Sequence, residues 1–546
     1  MDKHRAPLYE RIIEHHESRP ISFHVPGHKQ GDAVPGEVLP GEIIPREAVS
    51  EAAISRIAMP GNAVQDAGSQ NRLRAWMEYD YTEITGLDDL NQPTGVIKEA
   101  EQLAAQCFGA DRTFFLVQGS TLGNLALILS VCAPGDVILV DRFVHKSVIH
   151  GLMLANAKAV FLPPIWDPIT GYPAGIQVSA LEEALRRYPE AKALFLTRPN
   201  YYGQAADLAE VVSIVHRAGI PLLVDEAHGA HFGFHEAVPP SALSFGADAV
   251  VQSTHKMLSG LTMGAMLHIQ GPRVDQERIV QTIRLLQTSS PSYPIMASLD
   301  VARLLMHTKG REFIEAGLQA VRRFEQGMAE MEWFYLASSR IPPRTPPRAS
   351  ESEHGLDSVQ ESLKTQDSLA TILQDPFKQT VQDLTGTYTG YELQHLLEQH
   401  GCMVELADPN CVLLVFSPFS TVEHSERILE IFRRISTQSQ LDKKELSKPV
   451  TNTYTLPTIP TSTEAVTFSR HMMDGEQIVK VPLSEAVGKR SAEMIIPYPP
   501  GIPFVYPGEK LSGEVIGILQ TMARMGARFQ GTIDAGLDAV CIIKGT

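Results

Sequence analysis

Between about Pro93 and Ile269, short runs of β-branched and other apolar residues alternate with longer segments of helical periodicity, a pattern that few folds accept. The runs are TFFLV (113–117), DVILVD (136–141), AVFL (159–162), ALFLT (193–197), PLLVDE (221–226), AVVQS (249–253) and AMLHI (265–269). In the segment VIKEAEQLAAQCF (96–108), Val96, Ile97, Ala100, Leu103, Ala104 and Cys107 keep the spacing of one helical face. Uninterrupted apolar strands need cover on both faces, and crossover helices supply it. The pattern predicts a large α/β domain over about 93–310, built on a mostly parallel, seven-stranded sheet.

Residues 1–92 form an N-terminal segment ahead of that domain, and 311–440 read as a smaller α/β domain in which CVLLVFS (411–417) precedes the helical HSERILEIFRRI (424–435). A polar insertion over about 340–375 interrupts it, and a Thr- and Pro-rich run from Lys443 to Thr463 opens the final unit, 441–546. The 43% apolar and 20% charged composition of the 546 residues excludes chain-wide disorder. With Lys+Arg 47 against Asp+Glu 63, the net charge of −16 disfavours nucleic acid, which attracts basic faces. The five cysteines are odd in number and form no C-x-x-C pair, so a reducing, cytoplasmic setting is expected. The amino terminus is charged throughout, and no apolar stretch reaches about 18 residues, so neither secretion nor membrane spanning is expected.

Chemistry concentrates where the strands end, which is where open α/β sheets bind ligands. After TFFLV come Gly119, Ser120 and Thr121 and then a helix, so N–H groups and two hydroxyls are suited to a phosphate, although a plain turn and cap would look the same. After PLLV stand Asp225, Glu226, Ala227 and His228; Asp225 reads as a structural cap, a metal ligand or the partner of a protonated ring nitrogen. The DEAH string also occurs in helicases, but the chain has no phosphate-binding G-x-x-x-x-G-K-[ST] loop. His228, His231 and His235 read as hydrogen-bonded scaffolding ahead of metal ligands, and no metal is expected.

After AVVQS come Thr254, His255 and Lys256, and the run from Ala249 to Leu267 is otherwise nearly uncharged. That places an ammonium at the rim of a buried site, and a desolvated lysine is what Schiff-base chemistry requires. His145, after DVILVD, is suited to stacking on a flat cofactor or to capping the next helix. A phosphate cradle, a stacking ring, a carboxylate and an imine-forming lysine make up the general inventory of a pyridoxal phosphate site.

The strings PISFHVPGHKQG (20–31), TGLDDLNQPTGVIKEAEQLAAQCFGADRTFFLVQGST (85–121), DEAHGAHFGFH (225–235), QSTHK (252–256), QTSSPSYPIMASLD (287–300) and IIPYPPGIPFVYPGE (495–509) closely resemble the bacterial Orn/Lys/Arg decarboxylase family. The resemblance implies a fold-type-I, pyridoxal-5'-phosphate-dependent enzyme that decarboxylates a basic amino acid, with arginine, giving agmatine for polyamine biosynthesis, ahead of lysine and ornithine. Another pyridoxal phosphate reaction, such as transamination or aldol cleavage, and a non-catalytic cofactor-binding paralogue are the alternatives. The resemblance implies that Lys256 carries the cofactor, that Asp225 partners its ring nitrogen and that His145 stacks on its face. It assigns Ser120, Thr121, Ser253 and His255 to the phosphate and His228 to a place beside the ring, with His255 or Lys256 as proton donor. The stretch from Thr288 to Ser292 resembles a loop that reaches a neighbouring subunit's cofactor, which implies a homodimer or larger homo-oligomer with sites at the interface.

Departures from the family pattern are local. Gly119-Ser120-Thr121 stands where Gly-Thr-Ser is common, and TRPNYYG puts Arg198 and Asn200 where smaller or hydroxylated residues are familiar, which predicts an altered pocket wall. Residues from about Glu47 to Trp76 lengthen the approach to GLDDL, and the chain opens at PLYERI without the receiver-like wing domain of larger members, so assembly through that wing is not expected. For the substrate's distal cation the sequence offers Asp80, Glu83, Asp88, Asp89 and Glu493, each of which is equally readable as a surface or capping carboxylate.

Overall fold

The computed structural model describes residues 2–17, 78–167, 170–339, 372–442, 464–469, 478–498, 502–524 and 526–544. The PISFHVPGHKQG string, the stretch from Glu47 to Trp76, most of the 340–375 insertion and the run from Lys443 to Thr463 lie outside the described residues.

All seven expected strands form: β1 (Arg112–Leu116), β2 (Val137–Asp141), β3 (Lys158–Leu162), β4 (Leu194–Thr197), β5 (Leu222–Asp225), β6 (Ala249–Gln252) and β7 (Ala265–Ile269). They lie in the order β1-β7-β6-β5-β4-β2-β3, and the short strand Val466–Thr467 extends the sheet beyond β3. The β2–β3, β2–β4, β4–β5 and β5–β6 pairs are parallel, while β7 runs antiparallel to both of its neighbours. The mostly parallel sheet is therefore observed, with an edge strand that the sequence pattern did not announce. Strands β2, β5 and β6 are buried at every position, as cover on both faces requires. The helices Gly119–Val131 and Lys146–Ala155 cover one face through Leu127, Ile128, Val148 and Leu152, whereas Leu181, Val211, Ile214 and Val215 cover the other. Each fully buried aliphatic side chain of this kind stabilises the sheet by about 1.5–3 kcal/mol.

The helix Tyr293–Ala329 runs on from this domain through the position where the sequence pattern divides the two units, with a non-helical break at Lys309. It packs through Ile314, Leu318, Val321 and Phe324 against a second sheet made of β8 (Phe334–Leu336), β9 (Lys378–Asp383), β10 (Leu406–Ala407) and β11 (Cys411–Val415). This sheet is entirely antiparallel, in the order β8-β9-β11-β10. The end of the expected insertion folds as a strand, Ile372–Gln374, which pairs with Gln204–Ala206 of the large domain. That pairing delivers the turn Asp375-Pro376-Phe377-Lys378 to the carboxyl edge of the large sheet.

The final unit packs around Ile495, Val505, Leu511, Leu519 and Val540. Its IIPYPPGIPFVYPGE segment grips the chain just after β2: Arg142, buried, pairs with Glu509 at 3.1 Å, donates to the Phe504 carbonyl at 3.0 Å and lies 4.1 Å from the Tyr506 ring centre. Tyr506 in turn donates its hydroxyl proton to the Arg142 carbonyl. The last unit thereby fixes the backbone that leads to His145.

Candidate active site

The carboxyl ends of β2, β4 and β5, with the turns after β1 and β6, enclose a small cavity lined by Ser120, His145, Thr197, Pro199, Tyr201, Asp225, Ala227, His228 and Lys256. Asp225 is the last residue of β5, and its carboxylate accepts from Asn124 Nδ2 at 2.7 Å and from the Ala227 N–H at 3.1 Å. Burial pushes its pKa up, opposed first by the Asn124 hydrogen bond and then by the charge of Lys256. Asn124 also donates to Ser147 Oγ at 3.0 Å, so one buried amide ties the helix after β1 to the helix after β2.

His145 caps the helix Lys146–Ala155, with its Nδ1 accepting from the Ser147 N–H at 3.2 Å and lying 2.8 Å from Ser147 Oγ. These bonds set the ring plane, and burial brings its pKa down to about 3, so the ring is a neutral, flat surface. Lys256 lies in the one-turn helix Thr254–Met257 directly after β6. Burial lowers the pKa of its amine, opposed by Asp225 and Glu405. Its Nζ is 3.0 Å from His228 Nε2 and 5.7 Å from the centre of the Tyr201 ring.

The expected residues are thus distributed unevenly. Ser120, His145, Asp225, His228 and Lys256 line the cavity. Ser253 is buried beside it and donates to Ser120 Oγ at 2.8 Å. Thr121 is exposed on the first turn of its helix. His255 turns its Nδ1 to the Gly264 carbonyl at 2.9 Å. The loop after Gln287 meets the same edge, where the Thr288 N–H donates to Gln118 Oε1 at 3.1 Å.

Several sequence readings are corrected. Arg198 and Asn200 line a neighbouring cavity, not that of Lys256. Arg198 is buried against Glu226 at 3.3 Å and donates to the carbonyls of Ala206 and Pro240, so it builds a scaffold where an altered pocket wall was expected. Asn200 is spent on Gln204 and the Pro173 carbonyl. None of the five candidate carboxylates for a distal cation lines the Lys256 cavity. Asp88 accepts from the N–H groups of Thr94, Gly95 and Ile97 at the start of a helix, and Asp89 accepts from that of Asn91. Glu493 accepts from the N–H groups of Ile533 and Cys541. His231 pairs with Asp375 at 3.1 Å, as a scaffold histidine does.

Sequence reasoning missed Asn124, Tyr201, Lys378 and Glu405. Lys378, at the start of β9 and buried, sets its Nζ 3.2 Å from His228 Nδ1. Glu405, exposed, is the carboxylate whose charge acts on both Lys256 and Lys378. A lysine four residues after the strand Ile372–Gln374 was the available signal, and the polar run before it masked it.

The cavity fits a phosphorylated pyridine aldehyde by its donor set. A lysine of lowered pKa faces a buried carboxylate, a neutral imidazole stands beside them, and hydroxyls gather at a helix start. Thr197 Oγ1, on the lining, is a buried polar atom with no hydrogen-bond partner, as expected where a polar ligand completes the set.

The sheet order and the cavity at its carboxyl edge define the class as fold-type-I enzymes. Solved lysine decarboxylases share the fold: that of Francisella novicida at a TM-score of 0.72 and 21% identity, over 98% of this chain and 79% of that one, and that of Pseudomonas aeruginosa at 0.73 and 21%, over 98% and 80%. The Orn/Lys/Arg decarboxylase major-domain profile matches residues 66–424, and the C-terminal-domain profile of the same family matches 450–534. An arginine decarboxylase of Bacillus subtilis is 32% identical over 100% of this chain and 99% of its own length, and uncharacterized protein YaaO of the same organism is 38% identical over 97% and 96%. The chain belongs to the Orn/Lys/Arg decarboxylase family. Among the described residues, no helix is long and apolar enough to cross a membrane.

Proposed function

We propose that the chain is a pyridoxal-5'-phosphate-dependent carboxy-lyase that converts arginine to agmatine and carbon dioxide. The observation that carries this reading is the placement of the Lys256 amine and the Asp225 carboxylate on one cavity, which the neutral ring of His145 also lines. Arginine is preferred over lysine and ornithine because full-length relatives at 32% identity from Bacillus subtilis and Bacillus anthracis carry the name arginine decarboxylase.

Bound in this cavity, pyridoxal phosphate would supply a sink for the electron pair left on the α-carbon when carbon dioxide departs. The chain's residues do the rest. Lys256 is the amine that would hold the group at its aldehyde carbon until the substrate's amine takes its place. Asp225, kept in place by Asn124, would hold a proton on the ring nitrogen. His145 would lie against the ring and help to orient the substrate's carboxylate. Ser120, Thr121, Ser253 and His255 take the phosphate at the start of the helix Gly119–Val131. Lys256 or His255 would hold the proton that the α-carbon takes up. The loop from Thr288 to Ser292, exposed at Ser290, is assigned to a second subunit's site in a homodimer, and the reducing cytoplasm is its setting.

The assignment is tested by borohydride reduction of the full chain loaded with pyridoxal phosphate, followed by peptide mass spectrometry. The cofactor is expected on Lys256 alone; attachment at another lysine, or at none, contradicts the site.

A further inference from the structure

The DEAHGAHF loop of the large domain and the Asp375–Lys378 turn place two amines on opposite nitrogens of one ring. Lys256 Nζ is 3.0 Å from His228 Nε2, and Lys378 Nζ is 3.2 Å from His228 Nδ1. Burial and the two lysines hold His228 well below its usual pKa, so the ring is neutral. A neutral imidazole has one N–H and one lone pair. It can accept from one ammonium only, and its N–H then requires a free amine on the other side. At most one of the two lysines is an ammonium, and which one is fixed by the ring's tautomer.

We propose that Lys256, His228 and Lys378 form a proton relay, through which Lys256 becomes a free amine by passing its charge to Lys378. Lys256 Nζ gives a proton to His228 Nε2 while His228 Nδ1 gives its own to Lys378 Nζ. Two N–H bonds break and two form, the ring ends neutral in the opposite tautomer, and no proton enters water. Lys378 touches neither substrate nor cofactor in this scheme; it is a positioning residue that acts through His228. The inference rests on the reading of Lys256 as the imine-forming lysine.

The surroundings of Lys378 suit a proton store. Burial brings its pKa down to about 8, opposed by Asp375 and Glu405, which keeps both protonation states accessible near neutrality. Asp375 is held by His231 Nε2 at 3.1 Å and by the Phe377 N–H, and its Oδ2 is a buried atom with no hydrogen-bond partner. Gly203, at φ +87°, makes room for the lysine stem: a Cβ there would fall 2.6 Å from Lys378 Cβ and Cγ. The other charged or titratable groups that face the trio are Asp225 and Glu405 toward Lys256, with His145 and His255 toward His228. The Tyr201 ring lies 4.7 Å from that of His228, centre to centre.

The test is pH-dependent trace acetylation of the cofactor-free full chain, with the labelling midpoint of Lys256 read by peptide mass spectrometry. Lys378→Met removes the acceptor and the competing charge, so Lys256 keeps its proton longer and its midpoint rises by about one unit. Lys378→Arg supplies a cation that does not give up its proton, which fixes Nε2–H toward Lys256 and lowers the midpoint by about one unit. In a His228→Phe background both shifts should shrink to less than about 0.3 unit, because the path is cut. Shifts of the same sign in the two variants, no shifts, or shifts that persist undiminished in the His228→Phe background would overturn the relay. Should Lys378→Met not fold, the Lys378→Arg shift with and without His228→Phe decides, since through-space repulsion lowers the midpoint in both backgrounds and the relay only where His228 is present. Borohydride attachment away from Lys256 would refute the functional reading instead, and leaves these midpoints readable.

Discussion

Lys256→Ala should show no detectable amine production from arginine, a loss of at least about 10⁴-fold, with the fold retained. A tethered, oriented group acts at an effective concentration that can reach about 10⁵ M or more, which no buffer amine matches. The side chain lies on a one-turn helix whose caps do not use the amine, so truncation removes the chemistry and leaves the backbone bonds from Lys256 N to the Ser253 carbonyl and from Leu258 N to the Thr254 carbonyl. Borohydride should then fix no cofactor at this position, and added small primary amines should restore a fraction of the turnover. Turnover by the alanine variant without added amine refutes the assignment.

Asp225→Ala should retain the cofactor on Lys256 and lose about 10³-fold in turnover. An adjacent carboxylate raises the pKa of a cation by about 1–3 units, each unit being worth 1.36 kcal/mol. Asp225 is buried and held by Asn124 and the Ala227 N–H, and among the described residues no other carboxylate lines the cavity to replace it. Asn124 keeps its bond to Ser147 Oγ in the variant, which limits damage to the helices it ties. Single-turnover kinetics on the loaded variant make the measurement. A change of less than about tenfold would remove Asp225 from the chemistry and leave it a scaffold residue.

These expectations were largely readable before any coordinates, for physical reasons that differ by residue. The seven strands showed themselves because burial on both faces forces continuous apolar runs; Asp225 stood out at the end of such a run, and Lys256 because the stretch around it, Ala249 to Leu267, is otherwise nearly uncharged. The short edge strand Val466–Thr467 has too few residues to display a period. Arg198 misled because its partner Glu226 lies just past the end of the neighbouring strand β5, and pairing between adjacent strand ends leaves no trace in local sequence. The candidate carboxylates Asp88 and Glu493 turned out to satisfy backbone N–H groups, the commonest use of a buried or helix-start carboxylate. Lys378 was hidden for a different reason. Its 150-residue separation from His228 is closed only by the strand pairing of Ile372–Gln374 with Gln204–Ala206, a tertiary event no window of sequence contains.

Decarboxylation of a basic amino acid is read without intermediaries from its products. The full chain with pyridoxal phosphate is incubated separately with arginine, lysine and ornithine, and each reaction is read by mass spectrometry. Agmatine from arginine, with stoichiometric carbon dioxide, is the expected result. No amine in any of the three reactions, with the cofactor shown to be bound at Lys256, would contradict it.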